Sequence, residues 1–67
     1  MHHYKVGNVI KIMDTDDIMI IKSITDWDGE LAYFVWNPYM TDGIALPYEC
    51  IPISDEEAML WKLENAL

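Results

Sequence analysis

Asn8 to Met13 and Ile18 to Thr25 are rich in Ile and Val, and the pattern predicts two β-strands. Asp14-Thr15-Asp16-Asp17 between them reads as a polar turn, with Gly7 at the entry to the first strand. The expected unit is a hairpin. If Asp14 pairs with Asp17 across Thr15-Asp16, Lys11 lies opposite Ile20 and Val9 opposite Lys22. Val9, Lys11, Met13, Ile18, Ile20 and Lys22 then share one side of the sheet, and Ile10, Ile12, Met19 and Ile21 the other. The second set is wholly apolar and is the expected core face.

Asp28-Gly29 is a strong hairpin signal inside the segment Asp26 to Glu30, and it leads into a third strand from Leu31 to Asn37. Extended through that turn, the register adds Ala32, Phe34 and Trp36 to the core face. It adds Leu31, Tyr33 and Val35 to the face that carries the lysines. A bulge in the second strand would invert these assignments. Asn37 to Gly43 forms a broad turn punctuated by Pro38, and Ile44-Ala45-Leu46 begins a fourth strand that Pro47 ends or confines to an edge. Tyr48 to Ile53 holds a short turn and a last strand, interrupted by Pro52.

Ser54 opens a helix, with Glu57 at the spacing of a capping box and Asp55, Glu56 and Glu57 in the first turn, where they suit the helix dipole. Met59, Leu60, Leu63, Ala66 and Leu67 fall on one helical face, expected to cover one end of the barrel or a partner, and Trp61 falls opposite. The pattern as a whole predicts a mainly β chain, a small five-stranded SH3-like antiparallel barrel over residues 4–53 followed by a C-terminal α-helix over 54–67, in a single domain spanning 1–67.

Sixty-seven residues leave a lone domain marginal, because a chain of this size buries only about 60% of its unfolded surface. Cys50 is the only cysteine, so an intrachain disulfide is excluded and self-association becomes the expected source of further burial. A single thiol, and no hydrophobic run long enough for a signal peptide or membrane span, point to a cytoplasmic protein.

Twelve acidic residues against four lysines, with no arginine, give a net charge of −8. That balance repels polyanions, which argues against DNA or RNA as a partner. It leaves docking on a basic protein, or plain solubility, as uses for the acidic groups.

No catalytic or metal-binding frame emerges. Counted from Asp14, EF-hand positions 5, 6 and 12 are Ile18, Met19 and Thr25, where an oxygen ligand, a glycine and a glutamate are needed. The Asp-Gly turn breaks the alternation of Asp26, Asp28 and Glu30. His2 and His3 are neighbours that point opposite ways on a strand, and Cys50 follows Glu49 rather than a base. The expectation is a non-enzymatic chain without a cofactor.

Eight aromatic residues are more than so small a core can hold. Phe34 and Trp36 are assigned to the core, and Trp27, Tyr33, Tyr39 and Tyr48 to the surface. Lys11, Lys22, Tyr33, Tyr39 and Trp27 form the candidate ligand site, where rings stack on a flat ligand while ammonium groups meet a phosphate. Ile18, Ile20, Leu60, Trp61 and Leu63 form the candidate oligomer interface. A ligand pocket between subunits would use both.

Tyr4-Lys5-Val6-Gly7-Asn8-Val9-Ile10-Lys11 resembles the F-K-V-G-D-V-V-x-L opening of the YodC-like small bacterial proteins. Met19 to Ile24 is similar to their M-T-V-x-x-I strand, Phe34-Val35-Trp36 to their C-x-W strand, and Leu46-Pro47 to their later proline-bearing segment. The resemblance covers residues 4–53. It departs where that family has a Ser-Gly-Gly-Pro turn, in the acidic charge and in the terminal helix. It implies an SH3-like barrel and no catalytic residues. Being short, acidic, arginine-free and rich in aromatics, the chain also resembles phage accessory proteins that antagonise bacterial defence. That likeness implies a homo-oligomer that sequesters a small nucleotide signal. The alternative expectation is an adaptor or inhibitor that docks its acidic surface on a basic bacterial protein.

Overall fold

The computed structural model describes residues 4–39 and 43–65. Five antiparallel strands form one sheet: β1 (Val9–Ile12), β2 (Ile18–Trp27), β3 (Glu30–Trp36), β4 (Gly43–Ala45) and β5 (Cys50–Pro52). Their order is β4-β3-β2-β1-β5, a 3-10 turn Pro47–Glu49 joins β4 to β5, and α1 (Asp55–Glu64) follows. This is the mainly β arrangement of five antiparallel strands and a terminal helix that the pattern predicts.

The first hairpin closes differently from the expected two-residue turn. Ile12 pairs with Asp17, since Ile12 N donates to Asp17 O at 2.8 Å, and Met13 to Asp16 form a four-residue loop. Asp16 N donates back to Ile12 O at 2.8 Å, and Asp16 takes the left-handed φ of 60° that ends such a loop. Asp tolerates that conformation better than most residues. Val9 therefore lies opposite Ile20 and Lys11 opposite Ile18, a slip of two residues from the expected register. A slip of two keeps every side chain on its face, and Ile10, Met19 and Ile21 are buried as expected.

The second hairpin turns at Asp28-Gly29, whose φ values of 56° and 83° are those of a type I′ turn, with Trp27 opposite Glu30. Its strands do carry a bulge. Ser23 pairs with Phe34 but Ile21 pairs with Val35, so Lys22 is the extra residue. The bulge inverts the expected faces of β3 beyond it. Tyr33 and Val35 join the core at 0% and 2% exposure, whereas Phe34 is 38% exposed and Trp36 half-buried. Ala32 is buried, but on the side away from that core cluster, which comprises Ile10, Met19, Ile21, Tyr33, Val35, Ala45 and Cys50.

Tyr33 is a large polar-tipped side chain at the centre of this cluster, and its hydroxyl is satisfied there. Tyr4 N donates to it at 3.1 Å, the two rings meet edge to face at 5.8 Å, and Tyr4 Oη donates to Cys50 O at 3.3 Å. The N-terminal segment is thereby fastened across the end of the core. At the other end, buried Asn37 donates from Nδ2 to Ile18 O at 3.1 Å and accepts from Tyr39 N at 2.9 Å, which ties the end of β3 to the start of β2.

Helix α1 starts where the pattern places it: Ser54 Oγ accepts from Glu57 N at 3.1 Å. Its apolar stripe does not cover the barrel. Met59, Leu60 and Leu63 are 63%, 52% and 71% exposed, while Ala58, Trp61, Lys62 and Asn65, on the opposite side of the helix, are half-buried. Ala66 and Leu67, expected on the same stripe, lie outside the described residues.

Candidate functional site

The structure divides the expected ligand site. Tyr33 leaves it altogether, because the bulge at Lys22 turns that ring into the core. Tyr39, 89% exposed, follows Asn37 and Pro38 just beyond β3. Trp27, 56% exposed, sits at the tip of the β2–β3 hairpin, five residues and about 16 Å along β2 from Lys22. Lys11 and Lys22 remain with the outer face of the sheet. Lys11 is paired with Ile18 on one side and Ile51 on the other. Lys22 holds its ammonium 5.4 Å from the Trp36 ring centroid, a cation–π contact. Trp36 is paired with Ile20, so the lysines flank an apolar surface that also contains the expected interface residues Ile18 and Ile20.

That surface is the outside of a sheet, and its mixture of aromatic, aliphatic and lysine side chains has the chemistry of a protein interface. Small ligands favour concave sites. A concavity of about 470 Å³ lies elsewhere, between α1 and the N-terminal turn, lined by Tyr4, Gly7, Asn8, Val9, Pro52, Ile53, Asp55, Ala58, Met59 and Lys62. Its volume falls in the usual range for ligand clefts, about 300–1,000 Å³.

Local sequence builds both walls of this groove. On one side, Lys5-Val6-Gly7-Asn8 is a β-turn in which Asn8 N donates to Lys5 O at 3.0 Å and Asn8 Oδ1 accepts from Lys5 N at 2.9 Å. Gly7 supplies the positive φ of 93° that the third position of a type II turn needs. Its N–H donates to Ile21 O at 2.8 Å and fixes the turn to β2. On the other side, β5 ends at Pro52 and the capped start of α1 follows two residues later, so the helix passes the turn with its Ala58–Lys62 side inward.

Lys62 and Asp55 lie seven residues apart on that side, about 10 Å along the axis. The groove therefore has one cationic and one anionic position, with Val9, Pro52, Ile53, Ala58 and Met59 as apolar wall. Of the expected interface residues on the helix, Leu60 and Leu63 face outward and Trp61 is on the inner side.

Two further groups bear on reactivity. Burial, and secondarily the carboxylate of Glu49, push the Cys50 thiol up to about 11. Its Sγ donates to Leu46 O at 3.5 Å, so it stays protonated at neutral pH and is a poor nucleophile. Among the described residues no cluster of three or more His, Cys, Asp or Glu side chains converges in metal-binding geometry, and no helix is long and apolar enough to cross a membrane.

The groove is a feature that the sequence pattern does not announce. Its lining comes from residues 4–9, 52–53 and 55–62, each an ordinary turn, strand end or helix. The one available signal was the Asp55/Ala58/Lys62 spacing on the polar side of α1. Neither family models, nor curated proteins, nor solved structures give a match to this chain.

Proposed function

We propose that this chain is a non-enzymatic binding protein that sequesters a small phosphorylated ligand of nucleotide size in the groove beside α1. The observation that carries the reading is a concavity of about 470 Å³ with Lys62 and Asp55 at separate positions over an apolar wall. Lys62 meets the phosphate, Asp55 accepts from sugar hydroxyls or a base N–H, and the wall takes the flat ring. Such a protein acts by withdrawing a signal, as in the phage accessory proteins that its composition resembles.

Calorimetric titration with adenosine monophosphate and a cyclic nucleotide tests this. A charge-assisted contact of about 1.5–3 kcal/mol predicts that Lys62→Ala weakens binding at least about tenfold. Ala58→Trp, which fills the groove, should abolish it with the melting transition retained. Wild-type affinity in both variants, or no binding of either nucleotide at millimolar concentration, overturns the reading.

A second reading is supported by the hairpin tip, where exposed Trp27 lies among Asp26, Asp28 and Glu30. An aromatic anchor ringed by carboxylates suits a basic protein partner. Salt-sensitive capture of a basic protein that Trp27→Ala abolishes would favour it over nucleotide sequestration.

A further inference from the structure

Among the described residues, two apolar surfaces keep area open to solvent, one on α1 and one on the sheet, and their charges are complementary. The outer stripe of α1 consists of Met59, Leu60 and Leu63, all more than half exposed. Glu56 and Glu64 stand at the two ends of that stripe, eight residues and about 12 Å apart along the axis. The outer face of the sheet carries Ile18, Ile20, Phe34 and Trp36, half-buried or exposed. Lys11, cross-strand from Ile18, and Lys22 stand at its two ends, separated by four residues of β2, about 13 Å. One surface is aliphatic between two carboxylates. The other is aliphatic and aromatic between two ammonium groups at nearly the same spacing.

We infer that the partner of each surface is the other, supplied by a second copy of this chain: α1 of one protomer lies along β2 and β3 of its partner, and the exchange is reciprocal. The same helix cannot do this within one chain, because its Ala58–Lys62 side is turned to its own barrel and the stripe points away. Reciprocity also answers the question of area. A stable interface needs about 800 Å² from each partner, more than one ten-residue helix face offers, but each copy contributes both a helix stripe and a sheet face. The contact is self-complementary, as a two-fold dimer requires. Met59 also lines the groove, so the contact borders it. The two readings still fail separately, because association is read without nucleotide and nucleotide binding can be read in the monomeric Leu60→Glu/Leu63→Glu variant.

The test is the oligomeric state of the purified chain by light scattering and sedimentation. Wild type should run at twice the 7.8 kDa chain mass. Leu60→Glu/Leu63→Glu, on exposed positions, should give a monomer with an unchanged far-ultraviolet spectrum. Lys11→Glu/Lys22→Glu should weaken the dimer at least about tenfold, as loss of desolvated charge pairs does. Adding Glu56→Lys/Glu64→Lys to that variant should restore the dimer. A monomeric wild type at about 100 μM, a dimer indifferent to Leu60→Glu/Leu63→Glu, or a failure of the double reversal to restore association overturns the proposal. In that last case the faces serve a different partner.

Discussion

The inner and outer faces of the sheet draw on the same kinds of residue and differ in what covers them. Inside, Ile10, Ile21, Tyr33 and Val35 are closed off by the curl of the sheet, by Tyr4 at one end and by the 3-10 turn region at another. Outside, Ile18, Ile20 and Trp36 are only half-buried and Phe34 is 38% exposed, with the Lys22 ammonium over the Trp36 ring. Composition does not distinguish these sets. A single extra residue in β2 does, because side chains alternate with period two and one inserted position exchanges the faces. Lys22 is therefore the residue that decides whether Tyr33 or Phe34 is structural.

The sharpest way to break this contrast is to delete Lys22. Without the bulge the type I′ turn at Asp28-Gly29 and the first hairpin demand opposite faces of β3. The expected result is loss of the cooperative urea transition, whereas Lys22→Ala, which keeps the bulge, should shift it by less than about 1 kcal/mol. A deletion variant that unfolds like wild type would show that the bulge does not set the register.

Next in size is the pair Tyr33→Ala and Phe34→Ala. Neighbours in sequence, they lie at 0% and 38% exposure. Removing the buried ring should cost about 3–5 kcal/mol in urea denaturation, and removing the outer one about 1 kcal/mol or less in the monomeric Leu60→Glu/Leu63→Glu background. Equal costs would mean that both faces are packed.

A smaller effect tests the inner face alone. Burial raises the Cys50 thiol from 9.0 to about 11, and burial also raises the Tyr4 phenol above 10.0. The folded chain thus holds both protons more tightly than the unfolded chain does. Stability is full below about pH 9 and falls as pH rises toward 11, where the unfolded thiol ionises first. The urea midpoint should decline over that window, and Cys50→Ala should flatten the decline. A midpoint constant from pH 8 to 11 would place the thiol in water.

The first hairpin was legible because its pattern fixes parity: the true register differs by two from the simplest one, and parity survives. The faces of β3 were not legible, because the bulge depends on how two hairpins fit together and leaves no mark on the residues around Lys22. The start of α1 was legible from Ser54 and Glu57, since capping is local chemistry. Its orientation was not. A stripe of Met59, Leu60 and Leu63 identifies an apolar side without naming what it meets, and the barrel takes the Ala58/Trp61 side instead. The groove was hidden for the same reason, being the space left between that inner side and a glycine turn.

Pro52 has a consequence for the fate of the chain at high concentration. It ends β5, one of the two outermost strands, and its ring has no N–H to offer a newcomer. The strand at the opposite margin, β4, is only three residues long. Both margins are therefore poor templates for a further strand, and growth of the sheet into a fibril is suppressed at each end. Edge strands this short, one of them ending in a proline, are a device by which sheets discourage strand-by-strand growth while their faces stay free for side-chain contact.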